Sequence, residues 1–108
     1  MIEGISREEL SRRLDELTLV EALPRAAFRR RHLPSALNLP KSRAEALAPV
    51  LLPDLDAEIV VYCGSRLCRS SDRVAETLGR LGYTRVRVYR GGKRDWLRAG
   101  LPVERVSA

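Results

Sequence analysis

The chain has 108 residues, of which 44% are apolar and 31% charged, and this size and composition are typical of one globular domain spanning residues 1–108. No apolar run approaches the roughly 20 residues of a membrane span, and the N-terminus lacks the basic and apolar regions of a signal peptide, so we expect a cytoplasmic protein without a membrane partner. The net charge of +6 comes mainly from arginine, which is first interpreted as an effect of genomic base composition, with an anionic ligand as the alternative. Because no RNA-binding signature accompanies the charge, nucleic acid is not an expected partner.

The first half of the chain predicts short helices and strands in alternation. Ser6 and Glu9 form a capping box at the start of a helix, and Pro24 ends the first strand. The predicted elements are a helix over 5–17, a strand over 18–23, a short helix over 25–31, an extended segment over 34–40 and a helix over 41–51.

The second half contains the clearest strand and the clearest helix. The continuous apolar run of residues 59–62 indicates a strand buried on both faces of a parallel sheet. Ser70 or Ser71 is expected to cap the following helix, and Gly82 to end it. The predicted elements are a strand over 57–63, a helix over 70–83, a strand over 85–90 and, after two glycines, a short helix that carries Trp96.

Strand, helix and strand over residues 58–89 make a βαβ unit, which implies a parallel sheet with helices on both faces. Ligands of open α/β sheets bind at the carboxyl ends of the strands, where Cys63 lies. The N-terminus of the following helix, with Arg66 and Arg69 nearby, favours a thiolate and binds anions. We therefore predict that Cys63 is a nucleophile with a lowered pKa at the base of an anion-binding loop.

Several motifs in order resemble the rhodanese-like family, from about Ser6 to Val103. They are "RHLPSALNLP", "YCGSRLCRSS", "GGKRDW" and "AGLPV". The resemblance implies a three-layer α/β sandwich with a mostly parallel sheet of about five short strands and helices on both faces. It also implies that Cys63 is the catalytic cysteine of a sulfurtransferase and carries a persulfide. The loop residues implied to bind the anion or persulfide are Gly64, Ser65, Arg66, Leu67, Cys68 and Arg69.

The same resemblance implies a small anionic sulfur donor such as thiosulfate, and a thiol, cyanide or protein as the acceptor. No cofactor is predicted, and two cysteines with one histidine lack the spacing of a metal site. Cys68 is a candidate resolving thiol, because a Cys-x4-Cys loop resembles a divergent subgroup of the family. A small space-filling role is the alternative for Cys68.

Other features of the chain depart from the family pattern. Glu21 and Leu23 replace an aspartate and an arginine of the first core strand, so the ion pair between them is expected to be absent. Arg69 follows Cys63 in a C-x5-R-S spacing, which also resembles cysteine phosphatases and arsenate reductases. Either would need a general acid, for which Asp72 and Glu21 are candidates.

A non-catalytic binding or regulatory module is the remaining alternative to an enzyme. Two further residues are expected to be structural. His32, the single histidine, should make a structural hydrogen bond, and Trp96 should close the core against the helix that follows Cys63.

Overall fold

Five short parallel strands form the centre of the computed structural model, which describes residues 2–106. The strands are β1 (Glu3–Gly4), β2 (Thr18–Glu21), β3 (Leu37–Asn38), β4 (Ile59–Tyr62) and β5 (Val86–Tyr89). The helices are α1 (Arg7–Arg12), α2 (Arg25–Arg30), α3 (Ala44–Leu51), α4 (Ser70–Arg80) and α5 (Gly92–Arg98), with a 3-10 turn over Lys41–Arg43. Among these described helices, none is long and apolar enough to cross a bilayer.

The strand order β1-β5-β4-β2-β3 places β4 in the middle of the sheet. Its partners β2 and β5 run parallel to it on either side, with Glu21, Tyr62 and Tyr89 in register at the carboxyl edge. Every residue of β4 is buried, as the continuous apolar run predicts. Cys63, the next residue, therefore leaves the sheet at the centre of the edge where ligands of such sheets bind.

Helices cover both faces of the sheet, which confirms the predicted three-layer architecture. Successive residues of β4 point to opposite faces. Val61 and Cys63 belong to the core beneath α3 and α4, whereas Val60 and Tyr62 belong to the core that contains Leu10 of α1.

Two details of the structure differ from the sequence predictions, namely the face on which Trp96 packs and the cap of α4. Trp96 is buried with Val60 and Tyr62, so it packs on the face opposite α4, and the predicted contact with the helix after Cys63 was wrong. Neither Ser70 nor Ser71 caps α4 through its side chain; Arg69 occupies the N-cap position without a side-chain bond.

Element lengths also differ from the predictions at the N-terminal end. The Ser6 hydroxyl accepts a hydrogen bond from the Glu9 N–H at 3.0 Å, as the capping box predicts, but α1 ends at Arg12 instead of residue 17. β1 was not predicted, because its two exposed residues carry no apolar pattern and the strand exists only by pairing with β5.

Candidate active site

Cys63 lies at the base of the loop that joins β4 to α4. Its side chain is buried, with 1% of its surface exposed, and its Sγ donates a hydrogen bond to the Ser71 Oγ at 3.4 Å. Ser71 is itself buried in the first turn of α4. The serine that the sequence assigned as a helix cap is therefore a partner of the thiol.

The first residues of α5 fix the backbone of this loop. The N–H of Lys93 donates to the Cys63 carbonyl at 2.8 Å, and the N–H of Arg94 donates to the Gly64 carbonyl at 2.9 Å. With these carbonyls bound to α5, the loop can turn its N–H groups toward a ligand, as in other anion-binding nests.

The loop N–H groups divide into two sets. Those of Leu67 and Cys68 are used within the loop, where they donate to the side chain and carbonyl of Ser65. Those of Gly64, Ser65, Arg66 and Arg69 donate to no backbone carbonyl within residues 2–106. The Gly64 N–H is directed at the Cys68 sulfur, so those of Ser65, Arg66 and Arg69 remain for an anion or a persulfide.

Gly92 allows α5 to approach the loop this closely. Its φ is +68°, and a Cβ there would lie 2.6 Å from the Cys63 carbonyl oxygen and 2.9 Å from the Ser65 nitrogen. We expect Gly92→Ala to lower the free energy of unfolding by about 2–4 kcal/mol, because it combines overpacking with backbone strain. Urea unfolding measures this change.

Gly100 supplies a matched control for this substitution. Its φ is +74°, but a Cβ there would meet no atom within 4 Å. Gly100→Ala should therefore show the backbone strain alone, about 1–2 kcal/mol. Equal losses for the two variants would contradict a close contact between α5 and the loop.

The two cysteine sulfurs interact, and their pKa values shift in opposite directions. Burial raises the pKa of Cys63, and the hydrogen bond with Cys68 raises it further. Burial also opposes ionisation of Cys68, but hydrogen bonds from Cys63 and from the N–H groups of Gly64 and Ser70 lower its pKa overall. The predicted lowering of the Cys63 pKa was therefore wrong. The backbone donors that would stabilise a thiolate are directed mainly at Cys68.

This order of the two pKa values predicts an order of alkylation. The first thiolate to form as the pH rises should be that of Cys68, which is also more exposed than Cys63. Brief treatment with iodoacetamide near neutral pH should therefore modify Cys68 before Cys63, as read by peptide mass mapping. Alkylation of Cys63 first would contradict the assignment.

The arginines of the loop lie at its surface. The Arg69 side chain is 83% exposed and its guanidinium lies 3.8 Å from the Asp72 carboxylate. Arg66 is exposed as well, and the neighbouring Leu67 is 89% exposed. Their charges therefore act from the rim of the site, and the Cys63 sulfur lies buried beneath it.

Glu21 is buried beside this site and forms an ion pair that the sequence did not predict. Its carboxylate accepts from the Tyr62 hydroxyl at 2.6 Å and from the Lys93 ammonium at 3.1 Å. The pair joins the end of β2 to the start of α5. The partners are 72 positions apart in the chain, which explains why no local pattern revealed the pair.

His32 has the structural role expected for it. Its Nδ1 donates to the Phe28 carbonyl at 2.9 Å, and its ring stacks on that of Phe28 with the centroids 3.9 Å apart. Within the described part of the chain, no three His, Cys, Asp or Glu side chains are close enough together to hold a metal ion.

Two open pockets flank the loop and contain residues that the sequence analysis did not assign to the site. One, of about 560 Å³, is lined by Gly64 together with arginines and apolar residues of α2 and α5. The other, of about 340 Å³, is lined by Ser65, Arg66 and Leu67 on one side. Arg94 and Arg98 line both pockets. The sequence signal that could have found this basic lining is two arginine-rich stretches, residues 29–32 and 85–94.

Comparison with known proteins identifies the family. The Rhodanese-like domain family matches residues 6–99. A sulfurtransferase of Allochromatium vinosum is 33% identical over 108 residues, which cover 95% of this chain and 95% of that protein. An HTH-type transcriptional regulator of Mycobacterium tuberculosis is 34% identical over 108 residues, which cover 94% of this chain. The matched region spans only 45% of the regulator's length.

Solved structures show the same fold. A human single-domain sulfurtransferase superposes with a TM-score of 0.78 at 27% identity, over 91% of this chain and 97% of that one. The BH2092 protein of Bacillus halodurans superposes with a TM-score of 0.88 at 21% identity, over 95% of this chain and 77% of that one. The family match over residues 6–99 and the 33% identity to the Allochromatium vinosum sulfurtransferase show that the chain belongs to the rhodanese-like domain family.

Proposed function

We propose that this chain acts as one sulfurtransferase domain. It moves a sulfane sulfur from a small anionic donor such as thiosulfate to a thiol, cyanide or protein acceptor, through a persulfide on Cys63. The observation that carries the proposal is the buried Cys63 sulfur beneath a loop with unused N–H donors. The similarity to the sulfurtransferase of Allochromatium vinosum supports it.

In the loading step, the Cys68 thiolate takes the proton of the Cys63 thiol as the Cys63 sulfur attacks the outer sulfur of thiosulfate. A new S–S bond forms to Cys63, and the S–S bond of thiosulfate breaks, so that sulfite leaves with the electron pair. The lowered pKa of Cys68 and its hydrogen bond with Cys63 suit Cys68 to this role. The free N–H groups of the loop then stabilise the persulfide anion.

In the release step, the acceptor attacks the outer sulfur of the persulfide. The bond between that sulfur and Cys63 breaks, and Cys63 leaves as a thiolate. Cys68 can also attack the Cys63 sulfur itself, which forms a disulfide and releases hydrosulfide. Both routes begin from reduced cysteines, which suits the reducing cytoplasm expected from the sequence.

Phosphatase or arsenate reductase chemistry is less well supported by the site. Both oxygens of the Glu21 carboxylate are occupied by Tyr62 and Lys93, and Asp72 lies next to the guanidinium groups of Arg69 and Arg90. Neither candidate is free to protonate a leaving group. Both carboxylates that the sequence offered as general acids are therefore engaged by other side chains.

A regulatory role for the same chemistry is the second candidate. The similarity to a transcriptional regulator twice as long favours it, because that protein joins a matching region to further sequence. In such a role, the sulfur state of Cys63 would be the signal, and the persulfide would form as in the enzyme.

A steady-state assay distinguishes sulfur transfer from phosphatase and arsenate reductase chemistry. Purified protein is supplied with thiosulfate and cyanide, and thiocyanate is measured; parallel reactions contain a phosphate ester or arsenate with a thiol reductant. Sulfur transfer alone is the result expected. Hydrolysis of the ester or reduction of arsenate without thiocyanate would overturn the proposal.

A further inference from the structure

The surface around Cys63 has a composition that a small donor such as thiosulfate does not require. The two pockets beside the loop, of about 560 and 340 Å³, share the side chains of Arg94 and Arg98. Together they extend the site well beyond the volume of a small oxyanion. This inference rests on the proposed function and concerns the acceptor of the sulfur.

The charge of this surface is strongly positive. We define the basic rim as Arg30 and Arg31 at the end of α2, Arg94 and Arg98 of α5, and Arg66 of the loop. All of them are exposed, and within residues 2–106 none of them forms a salt bridge. A rim of this kind attracts an anionic partner from solution.

Two carboxylates beside these pockets are already paired. Asp95 lines the smaller pocket but accepts from Arg7 and from the Tyr89 hydroxyl, and Glu21 is buried against Lys93. The rim charge is therefore left for a partner rather than neutralised within the molecule.

Apolar side chains accompany these charges. Leu67, at the loop surface, is 89% exposed, and Leu23, Ala27 and Leu97 line the larger pocket. A single exposed leucine is ordinary by itself. Beside a concave apolar lining and a ring of arginines, Leu67 gives the surface the mixed character of a protein-binding site.

We propose that the basic rim and Leu67 dock an acidic protein segment that presents a cysteine to the persulfide of Cys63. Nucleic acid would match the charge, but it carries no thiol to accept the sulfur, and a pocketed surface with a recessed nucleophile suits an inserted side chain. In the transfer, the partner thiolate attacks the outer sulfur, the bond from that sulfur to Cys63 breaks, and Cys63 leaves as a thiolate. The partner thiolate supplies the electron pair of the new S–S bond, and the electron pair of the broken bond leaves on the Cys63 sulfur. No oxidant is therefore needed.

Synthetic peptides test this docking surface. Three cysteine peptides of equal length, flanked by acidic, neutral or basic residues, are added to protein whose Cys63 persulfide has been confirmed by mass. The acidic peptide should accept sulfur about 10-fold faster than the neutral one at low salt, and ~0.5 M salt should remove most of that difference. Equal rates for the acidic and neutral peptides would overturn the docking proposal while leaving the persulfide intact.

Variants of the rim locate the effect. The double variant Arg94→Glu with Arg98→Glu should reduce the rate ratio between the acidic and neutral peptides by about 10-fold. Arg12→Glu with Arg80→Glu makes the same change in net charge at exposed arginines outside both pockets, and should preserve the preference. An equal loss in both pairs would show a nonspecific effect of net charge and overturn the proposal.

A binding measurement on the Cys63→Ser protein keeps the test independent of loading. Fluorescence anisotropy should show the acidic peptide binding in preference to the neutral one, and a single-stranded oligonucleotide should not displace it at equal concentration. No binding of the acidic peptide, or its displacement by the oligonucleotide, would overturn the docking surface. Absence of the persulfide together with normal peptide binding would instead refute the proposed sulfur transfer.

Discussion

Cys63→Ser is expected to reduce sulfur transfer from thiosulfate by at least about 10³-fold, because it removes the buried thiol on which the persulfide is proposed to form. A serine hydroxyl can still hydrogen-bond to Ser71, the partner of the native thiol. The variant should therefore unfold at nearly the same urea concentration as the native protein. Steady-state thiocyanate formation and urea unfolding together measure the two effects. Retained transfer in this variant would contradict the role of Cys63.

Cys68→Ser is the matched control within the same loop. It should still load with sulfur, but the pH midpoint of loading should move upward. In the native protein the Cys68 pKa is lowered, which lets the pair form its first thiolate at a lower pH than an isolated buried Cys63 could. A pH profile of loading that is identical in the two proteins would contradict proton transfer from Cys63 to Cys68.

Lys93→Met is expected to lower the free energy of unfolding by about 3–5 kcal/mol, because it leaves the Glu21 charge buried without its cation. The Glu21 side chain is fully buried, and only the Tyr62 hydroxyl would remain as a side-chain partner. Urea unfolding of the variant measures the loss. A loss below about 1 kcal/mol would show that Glu21 is satisfied without Lys93.

Glu21→Gln combined with Lys93→Met separates the ion pair from simple packing. The double variant removes the uncompensated charge while retaining an acceptor for Tyr62, so it should recover about 2 kcal/mol of the stability lost by Lys93→Met alone. Additive losses in the double-mutant cycle would contradict a direct interaction between Glu21 and Lys93.

The parts of the fold that were predictable from sequence are the elements whose buried residues form a local apolar pattern. β4 is buried on both faces and reads as a continuous apolar run, and α4 carries a regular apolar stripe that ends at Gly82. β1 has no such pattern, because its two residues are exposed and its pairing with β5 spans the whole chain. The face on which Trp96 packs is likewise a property of the assembled sheet.

The candidate site likewise has features that the sequence predicts and features that arise only in the folded structure. The position of Cys63 at the end of a buried strand follows from the sequence, because strand and helix patterns meet there. The order of the thiol pKa values does not, since it depends on the burial of Cys63 and on the N–H groups directed at Cys68. The pairing of Glu21 with Lys93 also arises only when β2 and α5 come together.

The most direct test of the central claim is intact-mass spectrometry of the reduced protein after incubation with thiosulfate, beside the Cys63→Ser variant. We predict a gain of one sulfur atom that cyanide removes and that the variant lacks. A Cys63–Cys68 disulfide formed during the incubation would show turnover of that persulfide by the second thiol. A native protein that gains neither sulfur nor a disulfide would contradict sulfur transfer through Cys63.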